Sequence, residues 1–212
     1  MTRISAPWPK LERDLIAILR GVRPDEVLAI GEELVAAGIE AIEVPLNSPD
    51  PFHSIELLAK NLPPHVLIGA GTVLDPTDVA RLDAAGGRLM ISPNVDASVL
   101  AAAASAEMVT MPGVFTPTEA LAALKAGASG LKFFPASVLG PDGIKAISAI
   151  LPKGTIIGAV GGVDETTFAD YKAVGVRTFG LGSSLYKVGA SSDFVRDRAK
   201  ATVRAYDNIF SK

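Results

Sequence analysis

Residues 24–44 read PDEVLAIGEELVAAGIEAIEV, and this stretch holds the unit from which the rest of the chain is built. Pro24 with Asp25 and Glu26 suits a first helical turn: the N–H that Pro lacks has no partner there anyway, and the acids meet the positive end of the helix dipole. Val27, Ile30, Leu34 and Val35 recur at helical spacing and fall on one face. Gly38, after Ala36-Ala37, stands where a helix ends in the left-handed conformation. Ala41 to Val44 follows as an apolar run of strand length.

The same punctuation recurs along the chain. Ala84-Ala85-Gly86, Lys125-Ala126-Gly127 and Ala173-Val174-Gly175 repeat the stop, the glycines lying 48, 41 and 48 residues apart, about two strand–helix units each. Asp75-Pro76-Thr77-Asp78 repeats the start, as a cap with Pro at the first helical position. Strand-like runs lie at Leu15–Leu19, Ala41–Val44, Leu67–Ala70, Leu89–Ser92, Met108–Met111, Gly130–Phe134, Ile156–Val160 and Thr178–Leu181. Such alternation predicts a parallel sheet covered by helices. Eight units of ~25 residues use nearly the whole chain, so the expectation is an α/β fold, a single (β/α)8 TIM barrel over residues 1–212 with a short N-terminal extension. The competing architecture is the open doubly wound sheet. Against it, Leu19-Arg20-Gly21-Val22 stands after the first strand instead of a Gly-x-Gly-x-x-Gly.

Composition removes several function classes. Lys+Arg of 20 against Asp+Glu of 23 leaves a net charge of −3, which offers no field for nucleic acid or an anionic membrane. With 49% hydrophobic and 20% charged residues, the chain has ample apolar surface to bury. Cys is absent, which excludes disulfides and thiolate chemistry. His53 and His65, the only two histidines, fall in helix or loop context, so no metal site and no cofactor is expected. No apolar run approaches the ~18 residues of a membrane span. Met1 to Asp14, interrupted by Pro7, Pro9, Lys10, Glu12 and Arg13, lacks the apolar core of a signal peptide. The chain reads as a cytoplasmic globular protein.

In such a barrel the reactive residues stand at the C-terminal ends of strands. Those ends carry Arg20, Glu43 with Asn47, Gly71-Thr72, Ser92-Pro93-Asn94, Pro112-Gly113, Lys132, Val160-Gly161-Gly162 and Gly182-Ser183-Ser184. Lys132 lies in the apolar run Gly130-Leu131-Lys132-Phe133-Phe134-Pro135, and alternation points it into the barrel. Desolvation there lowers an amine's pKa and frees it to attack a carbonyl; the alternative is a lysine that only pairs with an acid or holds an anion. Glu43, in Ile42-Glu43-Val44-Pro45, points inward by the same logic and suits a proton shuttle, or else a bare ion pair with Lys132. Gly161-Gly162 and Gly182-Ser183 let backbone N–H groups approach a phosphate, with a following helix N-terminus adding positive charge. Arg20 clamps a carboxylate or phosphate, or serves as a salt-bridge partner at the rim. Thr72 donates to a ligand or caps a helix.

Together these residues resemble the 2-keto-3-deoxy-6-phosphogluconate aldolase family. The resemblance rests on Ile16–Gly21, Ile42–Pro49, Ile68–Leu74, Leu131–Pro135, Ala159–Val163 and Gly180–Ser183. Asn47 and Val160, where the gluconate branch typically carries Arg and Thr, place the chain with the galactonate branch, as does Arg20; Phe133 and Ala136 look more like the gluconate branch. The resemblance implies a metal-independent class I aldolase that cleaves 2-dehydro-3-deoxy-6-phospho-D-galactonate to pyruvate and D-glyceraldehyde 3-phosphate. The same mechanism on the gluconate epimer is the nearest alternative, and a phosphosugar isomerase or binding barrel a more distant one. Lys132 would form the Schiff base and Glu43 would move the C4 and enamine protons. Thr72 would hold the pyruvoyl carboxylate, Gly161, Gly162, Gly182 and Ser183 the phosphate, and Val160 would orient the hydroxyl-bearing segment. Arg20, Asn47 and Pro93 complete the expected substrate-binding set. The family's members are typically homotrimers, for which the Ala-rich helix Ala97–Ala106 offers an interface.

Overall fold

A computed structural model of the protein describes residues 5–210. Strands β1 (Leu15–Ile18), β2 (Ala41–Pro45), β3 (Leu67–Gly71), β4 (Leu89–Ile91), β5 (Val109–Met111), β6 (Gly113–Val114), β7 (Leu131–Phe133), β8 (Ile157–Val160) and β9 (Thr178–Leu181) run parallel in the order β5-β4-β3-β2-β1-β9-β8-β7-β6. Helices α1 (Pro24–Ala36), α2 (Pro51–Asn61), α3 (Pro76–Ala84), α4 (Ala97–Ser105), α5 (Pro117–Lys125), α6 (Ala136–Ser148), α7 (Phe168–Ala173) and α8 (Ser192–Phe210) alternate with them. This is the expected (β/α)8 barrel with one difference. Pro112 has no N–H to donate and interrupts the fifth barrel strand, whose halves are β5 and β6. The first half pairs with β4 and the second with β7. Thr110 O accepts the Gly130 N–H at 3.1 Å and Pro112 O the Lys132 N–H at 3.0 Å, which closes the ring.

The helix stops behave as the pattern requires. Gly38, Gly86, Gly127 and Gly175 have φ of 95°, 82°, 84° and 93°, a region that a side chain makes costly. Around each, paired backbone bonds of the Schellman type form, as with Gly38 N–H to Val35 O and Ile39 N–H to Leu34 O. Asp75 caps α3 through the Thr77 N–H at 2.8 Å.

Alternation along the strands sorts the core into two layers. Ala17, Ile42, Val44, Ile68, Ala70, Leu131 and Phe133 face outward and pack in the main core with the helices. Ile16, Ala41, Leu67, Leu89, Val109 and Met111 face inward and form a separate cluster inside the barrel. These inward residues sit low on their strands, and the N-terminal extension closes that end. Ala6 bridges Val109, Thr110 Oγ1 donates to Ser5 Oγ at 2.8 Å, and Ala6, Trp8 and Leu11 pack against the inner cluster. Residues 1–4 of the extension lie outside the described part. The opposite mouth, at the C-terminal ends of the strands, stays open. Among the described residues no helix is long and apolar enough to cross a membrane.

Candidate active site

Glu43 enters the barrel mouth because its neighbours Ile42 and Val44 are committed to the outer core. It is 2% exposed. Space for its carboxylate comes from β3, where a Cβ on Gly71 would stand 2.1 Å from Oε2. That oxygen is buried and accepts no hydrogen bond, so no ammonium is bonded to it. Burial pushes the carboxyl up to about 7, against the pull of the Lys132 and Arg20 cations and the Gly71 N–H.

Lys132 on β7 projects inward between Leu131 and Phe133 and is 6% exposed. Its Nζ lies 4.6 Å from the centroid of the Phe134 ring. Burial lowers the ammonium to about 8; the Glu43 carboxylate resists that shift and the Arg20 cation adds to it. The two pKa values thus approach one another, leaving near neutrality both a protonatable carboxyl and an available amine.

Gly71→Ala places a methyl group where the Glu43 carboxylate now lies. We expect kcat to fall about 100-fold, since displacing a reacting group by an ångström has effects of that size. Steady-state turnover beside a circular-dichroism melt will show whether activity drops further than the loss of stability explains.

Four expected site residues stand around this pair. Thr72 follows Gly71 with φ of 58°, a strained conformation for a β-branched residue. It does not cap α3; Asp75 does. Arg20 Nη1 donates to Asn47 Oδ1 at 2.6 Å, so Asn47 reaches the site by orienting the guanidinium. Pro93 packs its carbonyl against Gly113, 2.2 Å from where a Cβ would be, and Gly113 pairs with Lys132.

A cavity of about 430 Å³ opens beside the pair, and its wall includes Arg20, Val160, Gly161, Gly162, Gly182 and Ser183. Glu43, Lys132, Thr72, Asn47 and Pro93 are not part of that wall. Arg20 and Phe134, which are, connect it to the buried charges. Gly161 and Gly162 have φ of 91° and 71°, and a Cβ on Gly162 would meet Ser137 Oγ at 2.5 Å. At Gly182 a Cβ would meet nothing within 4 Å, because the residue faces the cavity.

One expectation needs correction. No regular helix starts at either glycine loop: α7 begins at Phe168 and α8 at Ser192. Instead, Leu185 and Tyr186 donate to Gly182 O, both at 2.9 Å, and form a single turn. Positive charge comes from Arg20 and from Lys187, a lining residue that sequence reasoning missed. Lys187 sits in a loop without periodicity, so no pattern signalled it. Phe134 was also missed, although its spacing of two from Lys132 puts both on one strand face.

His53 lies in the first turn of α2 and His65 in the connection from α2 to β3, and neither lines the cavity. Among the described residues no group of three or more His, Asp or Glu side chains is placed to hold a metal ion. In α4, Val99, Leu100, Ala103 and Ala104 are buried against the protein's own core, leaving a thin apolar face. The larger exposed apolar side chains are elsewhere: Leu74 and Phe115 follow β3 and β6, Val138 lies in the first turn of α6, and Leu121, Ile150, Val188 and Phe194 are spread over other parts of the surface.

The profile of the KDPG and KHG aldolase family matches residues 10–199. A probable 2-dehydro-3-deoxy-6-phosphogalactonate aldolase of Rhizobium meliloti (strain 1021) is 62% identical over 204 residues, covering 96% of each chain. A solved native KDPGal structure superposes with a TM-score of 0.94 at 42% identity, over 97% of this chain and 100% of the other. KDPG aldolase from Legionella pneumophila, solved with pyruvate captured at low pH as a covalent carbinolamine intermediate, gives 0.82 at 30% identity, over 90% and 94%.

Proposed function

This chain belongs to the KDPG and KHG aldolase family, and from that premise we propose that it cleaves 2-dehydro-3-deoxy-6-phospho-D-galactonate to pyruvate and D-glyceraldehyde 3-phosphate through an imine on Lys132. The enzyme is a carbon–carbon lyase of the class I type. The observation that carries the assignment of roles is the buried pair: an amine lowered to about 8 beside a carboxyl raised to about 7, with Glu43 Oε2 unpartnered.

Neutral Lys132 Nζ adds to the C2 ketone, and loss of water gives a protonated imine. Glu43 then accepts the C4 hydroxyl proton, directly or through water, as the C3–C4 bond breaks. The bond's electron pair flows into the iminium to give an enamine, and D-glyceraldehyde 3-phosphate departs. Glu43 returns the proton to C3, and hydrolysis of the resulting imine frees pyruvate and Lys132. The imine itself is the electron sink, so this route calls for no metal.

Thr72 holds the pyruvoyl carboxylate, and Gly161, Gly162, Gly182 and Ser183 hold the phosphate at the far end of the cavity. Arg20, oriented by Asn47, clamps an anionic group between them, and Pro93 backs the strand opposite Lys132. Residues 5–210 work as one barrel unit. The charged substrate is retained inside cells, and the enzyme acts in the cytoplasm. We assign it a homotrimer, supported by the exposed Leu74, Phe115 and Val138.

The choice of epimer rests on the 62% identical relative and on Val160, which brings no hydroxyl to the hydroxyl-bearing segment of the substrate. The expected kcat/KM for the galactonate epimer exceeds that for the gluconate epimer by about tenfold, the size of discrimination a few pocket contacts supply. Pyruvate release from the two purified epimers measures the ratio directly. An inverted ratio assigns the enzyme to the gluconate epimer with the mechanism unchanged.

A further inference from the structure

Two glycine loops grip one phosphate only if their spacing is held, and the sheet does not hold it. The β8–β9 ladder ends at Val160 and Gly180, before the loops begin. Beyond it, Ser184 Oγ reaches Val163 O at a long 3.4 Å. The firm connection comes from a residue 14 positions further on. Arg198, in the first half of α8, donates through Nε to Ser184 O at 2.9 Å and through Nη2 to Glu165 Oε1 at 2.6 Å. One planar guanidinium therefore ties the loop after β8 to the loop after β9 and fastens both to α8. Arg198 and Glu165 are both absent from the cavity wall.

We propose that Arg198 is a positioning residue for the phosphate end of the substrate, acting with Glu165 through the two glycine loops. The proposal rests on the assignment of phosphate to those loops. A rigid fork can hold two acceptors at a set separation, whereas lysine offers a point charge on a flexible stem. Without Arg198, the Ser184 carbonyl and the Glu165 carboxylate lose their shared partner, and Glu165 Oε2 has no hydrogen bond of its own. The loops then relax independently, and backbone N–H groups of both no longer converge on one anion. The Lys132–Glu43 pair is untouched by this change.

The test uses the full-length enzyme in the condensation direction, with pyruvate and either D-glyceraldehyde 3-phosphate or unphosphorylated D-glyceraldehyde. Arg198→Ala is expected to lower kcat/KM for the phosphorylated aldehyde about tenfold, through KM, since loss of positioning has effects of this order. Use of D-glyceraldehyde, and the rate at which borohydride traps pyruvate on Lys132, stay within about twofold of wild type. Arg198→Lys restores only part of the loss. Should Arg198→Ala fail to fold, Glu165→Ala, which cuts one arm of the brace, shows the same selective loss at smaller size. Equal losses with both aldehydes, or no loss with the phosphorylated one, overturn the proposal. A wild-type enzyme that does not prefer the phosphorylated aldehyde overturns the phosphate assignment and this role together.

Discussion

Lys132→Ala is expected to abolish cleavage, with a loss of at least about 10⁴-fold, because the electron sink for C3–C4 cleavage forms only on its amine. Borohydride added to wild-type enzyme with pyruvate leaves a reduced adduct that peptide mass mapping places on Lys132. The variant yields none. Lys132→Met keeps most of the side-chain volume and separates chemistry from packing. The folded-state pKa of about 8 lies below the ordinary 10.5 of lysine, so the fold disfavours the ammonium. Between about 8 and 10.5 the unfolded chain binds more protons than the folded one, and this group's contribution to wild-type stability rises with pH. Lys132→Met is therefore stabilised most relative to wild type below pH 8, and its advantage shrinks as pH approaches 10.5. Thermal melts across that range read the trend. Retained turnover in either variant, or an adduct on another lysine, removes the imine from Lys132.

Glu43→Gln gives the second large effect, and it is a different one. Pyruvate imine still forms on Lys132, so borohydride trapping persists. Cleavage falls about 10³-fold, within the range that a positioned acid–base group contributes. In the wild type, kcat/KM rises as pH passes about 7, where Glu43 becomes the carboxylate that accepts the C4 proton. That limb disappears in the variant. The stability sign is opposite to that of a salt-bridged acid. Glu43 is raised from 4.5 to about 7, so between those values the folded state binds more protons and wild-type stability falls as pH rises. The stability of Glu43→Gln relative to wild type should therefore climb from pH 4.5 to 7, by an amount on the order of 3 kcal/mol, and its relative melting temperature with it. A variant that loses trapping along with turnover places Glu43 in imine formation; a flat stability difference contradicts the buried carboxylate.

Much of this site was legible before any coordinates, and for local reasons. Lys132 and Glu43 each interrupt an apolar strand, and a period of two sends such a residue to the face opposite its neighbours. Both did point inward, while Leu131, Phe133, Ile42 and Val44 joined the outer core. The barrel followed from repeated glycine stops, since a left-handed residue there is demanded by the few residues before it. Pro112 was visible too, but not its effect: its place in the middle of the fifth strand depends on which strands flank it. Thr72 was open between a cap and a ligand contact until Asp75 proved to cap α3.

The chain's own order of residues thus determined the repeating unit, the parallel barrel, the inward direction of Glu43 and Lys132, and the glycine loops after the last two strands. Each of these depends on neighbours within a turn or two of helix or a few residues of strand. Only the tertiary structure decided that Gly71 makes room for the Glu43 carboxylate, that Arg20 acts on both buried charges and is steadied by Asn47, and that Arg198 ties two loops together. Desolvation, Coulomb forces and hydrogen bonds act over a few ångströms of space, and residues as distant in sequence as Glu43 and Lys132 come within that range only when the barrel closes.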